Sequence, residues 1–386
     1  MPTPMTGLSR DEILRYSRHL IMPEVTLEGQ MKLKRARVLC VGAGGLGSPL
    51  TLYLAAAGVG TIGLVDFDTV DLTNIQRQIL YSTADVGRPK LEAACERLVG
   101  LNPQIEIVAH PVRLSSDNVM GLLGGYDVIA DGTDNFPTRY LVNDACVLLA
   151  KPNVYASIFR FDGQVSVFDA RRGPCYRCLF PEPPPPDLVP SCAEGGVLGV
   201  LPGIIGSLQA LEVLKLILGA GEPLIGRLVL FDALAFQFRE LTVRKDPGCA
   251  VCGEAPTICG PIDYDEFCGI RGAESQADLS GLPLLSVEDL CARRDAGEPF
   301  ELLDVREPHE YAIARIPGAT LFPLSALPSR LHELDSARTY TIACHRGTRS
   351  VQAFHLLRTA GFQKLLVLAG GIDAWAERID PSMPRY

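Results

Sequence analysis

The sequence has little positive charge for its size. Its 386 residues include 36 lysines and arginines against 45 aspartates and glutamates, so the formal net charge is −9. Proteins that bind nucleic acid usually cluster lysine and arginine side chains to neutralise phosphates, and this sequence has no such tract. We therefore expect no nucleic-acid partner. With 47% hydrophobic and 21% charged residues, the composition is that of a globular protein long enough for two domains.

The sequence also lacks an apolar signal core near residue 1 and an uninterrupted membrane-spanning run. Residues 1–20 carry mixed charge, which argues against secretion. The segment Gly195–Ser207 is apolar, but Pro202 interrupts it and polar residues follow at helical spacing. We predict a buried helix there, and a cytoplasmic protein with no membrane partner.

A Walker loop of the form GxxxxGK[ST] is missing, which excludes a P-loop ATPase. A different glycine pattern is present. The apolar segment Val38–Val41 has the length of a strand, and Gly42, Gly44 and Gly47 follow it in the G-x-G-x-x-G spacing. Glycines in this position let the backbone approach a phosphate at the N-terminus of a helix.

The residues after the glycines complete the pattern. Pro49–Ala57 is typical of a helix of small residues, and Thr61–Val65 is typical of a second strand that ends at Asp66. An acidic residue about twenty positions after the glycines is placed to bind ribose hydroxyls. Strand, helix and acid together indicate a site for an adenine nucleotide.

Charged residues downstream indicate what the nucleotide is used for. Arg77 and Lys90 are cations, and Asp134 follows a predicted strand; all three are expected at the carboxyl ends of the strands, where open α/β sheets bind ligands. Phosphoryl chemistry needs cations on phosphate oxygens and a carboxylate for Mg²⁺, whereas hydride transfer needs a dry nicotinamide pocket. The set favours phosphoryl chemistry. Asp131 and Asp134 could also be two turn aspartates, and we interpret Asp131 as a residue that shapes the turn.

Helices and strands alternate through the first half of the chain, which predicts a mainly parallel sheet with right-handed crossovers. The predicted elements after Asp66 are a helix at Leu91–Val99, strands at Ile105–Ala109 and Tyr126–Ala130, and a helix at Pro137–Leu149. Residues 154–180 then predict a β-hairpin with its turn at Asp162-Gly163.

The sequence is not short of cysteine, since it has 12. Cys175 and Cys178 form one C-x-x-C pair, and Cys249 and Cys252 form a second. One such pair could be a redox motif or chance, but two pairs in a chain without a secretion signal predict a tetrahedral Zn²⁺ site with four thiolates. Because thiolates fill all four positions, we expect a structural zinc site.

Two further segments break the pattern. A proline-rich stretch precedes Cys192, which is either a small buried thiol or a nucleophile on a loop near the nucleotide. Residues 253–282 are rich in glycine, proline and acid, which predicts a linker between a first domain at 1–252 and a second at 283–386.

The second domain has its own α/β pattern and one notable cysteine. Cys344 follows the predicted strand Tyr340–Ala343, and a helix is predicted to begin near Ser350. A thiol at a helix N-terminus among backbone N–H groups is stabilised as thiolate, and Arg346 and Arg349 add positive charge.

Several motifs together carry a resemblance to known families. The segments VGAGGLGS, DFDTVDLTNIQRQ, DGTDN, CYRC and CAVCG resemble the MoeB/ThiF group, relatives of the ubiquitin-activating enzymes. The segments DVREPHEY, IPGA, CHRGTRS and LAGGIDAW resemble the rhodanese family. The whole chain is similar to two-domain adenylyltransferase/sulfurtransferases of the MoeZ type. The resemblance implies a Rossmann-like, mainly parallel sheet with zinc knuckles, followed by a smaller α/β rhodanese-like domain.

The resemblance also implies roles for individual residues. The nucleotide site would comprise Gly42, Gly44, Gly45, Gly47, Asp66, Asn74, Arg77, Lys90, Asp134 and Asn135, with Asp134 on the Mg²⁺ or phosphate side. Arg15 and Arg18 share one helix face, which in an unknown protein would be a solvated basic face. The resemblance implies that Arg18 reaches the ATP phosphates of the partner in a homodimer, and we leave Arg15 as a structural residue. Cys344 would carry a persulfide, and Cys192 would have a thiol-transfer role.

The implied reaction uses ATP, Mg²⁺ and a small ubiquitin-like sulfur carrier that ends in Gly-Gly. The carrier would be adenylated and then converted to a thiocarboxylate, with sulfur from thiosulfate or a cysteine desulfurase. Molybdenum cofactor biosynthesis is one of several pathways that use such carriers. Two alternatives remain: a second domain that only docks a partner, and an NAD-dependent oxidoreductase, which leaves DFDTVDLTNIQRQ and DGTDN without a role.

Overall fold

The computed structural model describes residues 7–184, 195–269 and 282–386. The described residues form two compact units, the first ending at Gly269 and the second beginning at Leu282. Each is α/β, as predicted.

The first unit is built on a sheet of eight strands in the order β3-β2-β1-β4-β5-β6-β7-β8. The strands are β1 (Arg37–Val41), β2 (Thr61–Val65), β3 (Glu106–His110), β4 (Val128–Asp131), β5 (Asn153–Phe159), β6 (Asp162–Phe168), β7 (Arg227–Asp232) and β8 (Gln237–Thr242). Pairing is parallel from β3 to β5 and antiparallel from β5 to β8. The carboxyl ends of the parallel strands therefore meet at one edge of the sheet.

Helices cover both faces of the parallel part of the sheet. The helices are α1 (Arg10–Arg15), α2 (Ser17–Leu20), α3 (Thr26–Arg35), α4 (Gly47–Ala57), α5 (Lys90–Leu101), α6 (Val119–Gly124), α7 (Phe136–Leu148), α8 (Tyr176–Leu179), α9 (Val200–Leu218) and α10 (Tyr264–Phe267). Side chains alternate along β1: Val38 and Cys40 join the core cluster under α4 and α5, whereas Leu39 and Val41 join the cluster under α6 and α7. This arrangement is the predicted Rossmann-like architecture.

The long apolar helix α9 belongs to this core. By length and composition alone it could cross a membrane. In the fold it packs on α4, β5 and β6. Gln209 on α9 is buried, and its Nε2 donates to the carbonyl oxygens of Asp131 and Val154, at 2.8 Å each. The buried helix predicted for this segment is present.

The predicted turn at Asp162-Gly163 is wrong by two residues. Phe159 pairs with Asp162 and Ile158 with Gly163, so the loop consists of Arg160 and Phe161. Gly163 instead permits close packing, because a Cβ there would lie 2.3 Å from Ile205 Cδ1 of α9.

The first unit extends beyond the predicted boundary at residue 252. Tyr264 on α10 is buried, and its hydroxyl donates to Asp144 Oδ2 at 3.0 Å. Cys268 lies in the core cluster under α7. Residues 253–269 of the proposed linker thus belong to the packed unit.

The second unit has an all-parallel sheet in the order β11-β10-β12-β13-β9. Its strands are β9 (Leu284–Leu285), β10 (Glu301–Asp304), β11 (Ala319–Leu321), β12 (Tyr340–Ala343) and β13 (Leu365–Leu368); its helices are α11 (Val287–Asp295), α12 (Pro308–Ile313), α13 (Leu327–Arg330), α14 (Thr348–Thr359) and α15 (Gly371–Arg378). The predicted strand before Cys344 is confirmed, and α14 begins two residues earlier than expected.

Candidate active sites and metal centre

A pocket opens at the carboxyl ends of β1, β2 and β4. Eight of the predicted nucleotide-binding residues line it: Gly42, Gly44, Gly45, Asp66, Arg77, Lys90, Asp134 and Asn135. Gly47 and Asn74 are not among the lining residues. Asn74 ends a short 3₁₀ turn, Leu72–Asn74, and its Nδ2 lies 3.4 Å from Thr73 Oγ1.

The glycine loop, residues 42–46 between β1 and α4, is fixed by hydrogen bonds and by close packing. Gly42 has φ +90°, and its N–H donates to Val65 O at 2.8 Å. A Cβ on Gly47 would lie 2.1 Å from Gly42 O, so Gly47 is needed for close packing of α4 on the loop. Asp66 Oδ2 accepts the N–H of Ala43 at 2.9 Å. Asp66 therefore stabilises the loop in addition to lining the pocket.

The two predicted cations lie on the same pocket wall. Lys90 is the first residue of α5 and is largely buried, with its Nζ 2.9 Å from Asp68 Oδ2. Arg77 Nη1 donates to the carbonyl oxygen of Thr73 at 3.1 Å. Both side chains are thus oriented by the segment between β2 and α5, which carries the polar motif found in the sequence.

The two aspartates after β4 have different environments. Asp131 is buried, and its Oδ1 accepts from both the N–H and the hydroxyl of Thr133. Burial raises the pKa of Asp131, although the positive charge of Arg139 opposes this effect. Asp134 is exposed at the pocket, and it makes no hydrogen bond or ion pair within the described part of the chain. Its free carboxylate fits a Mg²⁺ ligand, since Mg²⁺ binds oxygen.

Arg139 is a pocket residue that the sequence reasoning missed. It is only 9% exposed, and its Nη2 donates to Thr133 O at 3.1 Å and Ser157 Oγ at 2.9 Å. Asn135 caps α7 by accepting the N–H of Thr138 at 3.0 Å. Arg139 lies four residues after Asn135, so helical spacing could have placed it near the same site.

Arg15 and Arg18 are both exposed and lie outside the pocket lining. Arg15 Nη1 donates to Leu101 O at 3.0 Å, a structural contact with α5. For Arg18 on α2 no partner occurs among residues 7–184, 195–269 and 282–386. Its assignment to a nucleotide site remains a prediction.

The four cysteines of the two C-x-x-C pairs come together beside α8. Their sulfur atoms all lie within 4.8 Å of one another. The Cys175–Cys249 and Cys178–Cys252 sulfur pairs are 3.6 and 3.4 Å apart. A tetrahedral Zn²⁺ with Zn–S bonds of about 2.3 Å requires sulfurs about 3.8 Å apart, so the cluster fits zinc.

A buried ion pair supports the first cysteine pair. Arg177 lies between Cys175 and Cys178, and its Nε and Nη2 donate to the two carboxylate oxygens of Asp144, both at 2.8 Å. Because Tyr264 donates to the same carboxylate, the segment of the first cysteine pair, α7 and α10 meet at Asp144.

In the second unit, Cys344 lies in the loop between β12 and α14 and is 1% exposed. The N–H of Gly347 donates to Cys344 Sγ at 3.1 Å, and Ser350 Oγ lies 3.3 Å from the same sulfur. Cys344 O accepts the N–H of Ile372 at 2.9 Å. Gly371 permits this approach, since a Cβ there would lie 2.3 Å from Cys344 O.

The two arginines of the Cys344 loop are paired with carboxylates. Arg349 Nη1 and Nη2 lie 2.6 and 2.7 Å from the two oxygens of Glu310. Arg346 Nε lies 3.4 Å from Asp373 Oδ2. Each arginine of the loop therefore faces a carboxylate, and Asp373 also pairs with Arg385. Cys192 lies outside the described residues.

Known proteins resemble both units of this chain. Residues 16–251 match the ThiF family, and residues 286–378 match the rhodanese-like domain. The probable adenylyltransferase/sulfurtransferase MoeZ of Mycobacterium tuberculosis is 49% identical, over 99% of this chain and 97% of that protein. The adenylyltransferase and sulfurtransferase MOCS3 of Mus musculus is 44% identical over 99% and 89%. A sulfur carrier protein adenylyltransferase of Thermus thermophilus is 56% identical over 68% and 99%.

A solved structure shares the fold of the first unit. MccB from E. coli, crystallised with ATP, superposes with a TM-score of 0.55 at 24% identity, covering 62% of this chain and 74% of MccB. At this identity the likeness extends to the fold alone.

Proposed function

The chain belongs to the ThiF family and carries a rhodanese-like domain, so it is an enzyme with adenylyltransferase and sulfurtransferase activities; from this premise we propose that it converts a ubiquitin-like sulfur carrier into a thiocarboxylate. The carrier ends in Gly-Gly, and its terminal glycine carboxylate is the group that reacts. We also propose a cytoplasmic homodimer. The observation that carries the proposal is that one chain has both a nucleotide pocket and a cysteine whose sulfur accepts a backbone N–H hydrogen bond.

In the first reaction the carrier carboxylate attacks the α-phosphorus of ATP and pyrophosphate leaves. Arg77 and Lys90 bind phosphate oxygens. Their positive charge stabilises the negative charge that develops on these oxygens in the transition state. The exposed carboxylate of Asp134 would hold Mg²⁺, which would supply further charge neutralisation. The product is an acyl-adenylate, in which AMP is a good leaving group.

In the second reaction sulfur comes from a persulfide on Cys344. Its terminal sulfur attacks the acyl carbon, a carbon–sulfur bond forms and AMP leaves. The Cys192 thiolate, our candidate for this thiol-transfer step, then attacks the Cys344 sulfur, so that the thiocarboxylate leaves and a Cys192–Cys344 disulfide remains. An external thiol reduces this disulfide before the next turnover. A zinc ion held by the four clustered cysteines would have no open coordination position, so we assign it a part in neither reaction.

The test of this function is the Cys344→Ala variant. ATP–pyrophosphate exchange should be unchanged, whereas mass spectrometry of the carrier under single turnover should find no thiocarboxylate with thiosulfate as donor. Added sulfide should restore the product, because it bypasses protein-bound sulfur. Cys291→Ala, a partly buried thiol of α11 in the same unit, is the matched control and should behave as wild type.

The alternatives give different results in the same experiment. Thiocarboxylate formation by Cys344→Ala without sulfide would make the second unit a docking module, and NAD reduction without adenylation would support the oxidoreductase. Cys192→Ala should leave adenylation and persulfide formation measurable as separate reactions. It should slow the coupled formation of thiocarboxylate by far more than it slows either of them. Full-speed coupled turnover in that variant would leave Cys192 with a packing role.

A further inference from the structure

The charged side chains around the Cys344 loop are three arginines and two carboxylates from different parts of the second unit. Arg349 is paired with Glu310 through both of its terminal nitrogens. On the other side of the loop, Arg346 shares Asp373 with Arg385, whose Nε lies 2.9 Å from Asp373 Oδ1. Glu310 therefore compensates one arginine of the loop, whereas the negative charge of Asp373 is shared between two arginines.

Glu310 is the more firmly fixed of the two carboxylates. One of its oxygens accepts the N–H of Glu307 at 3.0 Å, and Tyr386 OH lies 3.3 Å from the other. Its side chain is only 12% exposed, against 31% for Arg349. Burial alone would raise the pKa of Glu310, but the hydrogen bonds from Arg349 outweigh this effect and lower the pKa to about 2. Glu310 is therefore ionised at neutral pH.

The negative charge of Glu310 matters because sulfur donors differ in charge. Thiosulfate is a dianion: the Cys344 thiolate attacks its outer sulfur, the donor S–S bond breaks, a new S–S bond forms on Cys344 and sulfite leaves with the electron pair. Methanethiosulfonate undergoes the same exchange as a monoanion and releases methanesulfinate. Neither step needs a further oxidant or reductant. With Glu310 beside Arg349, the loop attracts the second negative charge of thiosulfate less than the same loop would without this carboxylate.

We propose that Glu310 is a specificity-determining residue, whose carboxylate compensates Arg349 and so makes the Cys344 loop favour sulfane-sulfur donors with one negative charge over dianionic donors. The inference rests on the proposed sulfurtransferase function of Cys344. It names a substrate class, monoanionic thiosulfonates and alkyl persulfides, and it assigns the selection to a residue 34 positions before Cys344 in the sequence.

The test compares kcat/KM for thiosulfate and for methanethiosulfonate, with cyanide as acceptor and thiocyanate as product, in the full-length protein. In Glu310→Gln the ratio of the two values should rise in favour of thiosulfate by about tenfold, because one negative charge near the donor is removed. The gain should shrink as ionic strength increases, since salt screens the charge. A purely structural role would not produce this salt dependence.

Two further variants keep the test decisive if Glu310→Gln is unstable. Arg349→Met should move the ratio the opposite way, and the double variant should return it to the wild-type value. Glu333→Gln is the matched control, because it breaks another two-contact glutamate–arginine pair, with Arg330, on the surface of the same unit. Its ratio should stay at the wild-type value.

The two proposals fail in different ways. A ratio that stays within about twofold of wild type in Glu310→Gln and Arg349→Met, with persulfide still formed from both donors, would overturn the specificity role alone. Absence of Cys344 persulfide in the wild type with either donor would overturn the sulfurtransferase function, and this inference with it.

Discussion

At the residue scale, two neighbouring aspartates differ in burial and in hydrogen bonding, although their side chains are identical. Asp131 is buried at the end of β4 and fixes the following turn through Thr133. Asp134, three residues later, is exposed at the pocket. A buried carboxylate with hydrogen-bond partners contributes to the fold, whereas an exposed one with no partner is free to bind a cation or a substrate.

The first prediction follows from this difference. Asp134→Ala should remain folded, because its side chain makes no described contact, but ATP–pyrophosphate exchange should fall by about 10²- to 10³-fold or more, as expected when a key electrostatic group is deleted. Asp117→Ala, an exposed aspartate that is not among the pocket residues, is the control. Near-normal exchange in Asp134→Ala would remove Asp134 from the site.

At the scale of elements, small residues decide how closely helices and strands approach. Gly163 on β6 faces Ile205 of α9, and Gly47 at the start of α4 faces Gly42 of the glycine loop. The four-cysteine cluster connects segments that are far apart in sequence, and Arg177 ties it to Asp144 of α7. These contacts pack the antiparallel part of the sheet and the four-cysteine cluster against the parallel part of the sheet.

The second prediction tests the packing of α9 on the hairpin. In Gly163→Ala the new Cβ would lie 2.3 Å from a buried isoleucine carbon, so the free energy of unfolding should fall by ~1–3 kcal/mol. Gly121→Ala in α6 is the control, because no atom lies within 4 Å of its added Cβ. Equal stability of the two variants in urea titrations would contradict the close contact.

The third prediction concerns the metal. The wild-type protein should contain about one zinc per chain, held by four thiolates. Cys252→Ser should lose it and destabilise the first unit, because metal binding contributes to folding, while thiosulfate:cyanide activity of the second unit persists. Cys259→Ser changes an exposed thiol of the same unit and should keep the metal. A stable wild-type protein without zinc, measured by plasma mass spectrometry, would contradict the site.

At the scale of the whole molecule, the chain joins two separately packed α/β units with different chemistries. The nucleotide pocket is formed entirely by the first unit, and the environment of Cys344 entirely by the second. The proposed reaction therefore needs the acyl-adenylate and the persulfide to meet. Arg18 lies outside the pocket of its own unit, and we propose that it contributes to the site of a second copy of the chain.

The fourth prediction tests this contribution. If Arg18 completes the site of a partner, Arg18→Ala mixed with Asp134→Ala should recover activity that neither variant has alone. Random exchange in a two-fold dimer gives about a quarter of the sites both native residues, so about a quarter of wild-type adenylation is expected. Arg15→Ala is the control: by itself it should keep wild-type adenylation, so its mixture with Asp134→Ala should show no recovered activity beyond its own. Lack of recovery after subunit exchange has been verified would show that Arg18 does not act across the interface.

The sequence alone determined the fold class, the glycine loop, the cysteine pairs and the position of Cys344. Each depends on short-range patterns: the short apolar runs of β1 and β2, the spacing of Gly42, Gly44 and Gly47, and the C-x-x-C repeats. Such patterns are local because strand pleating, helix periodicity and tight turns involve neighbours in the chain.

The tertiary structure alone decided which residues meet from distant segments. Gly163 is a packing residue because α9 crosses it, and Arg349 is neutralised because Glu310, 39 positions away, lies opposite it. Arg139 joins the pocket because α7 packs on the end of β4. No local pattern encodes these contacts, since the free energy of burying a charge or closing a gap depends on what the rest of the chain places there.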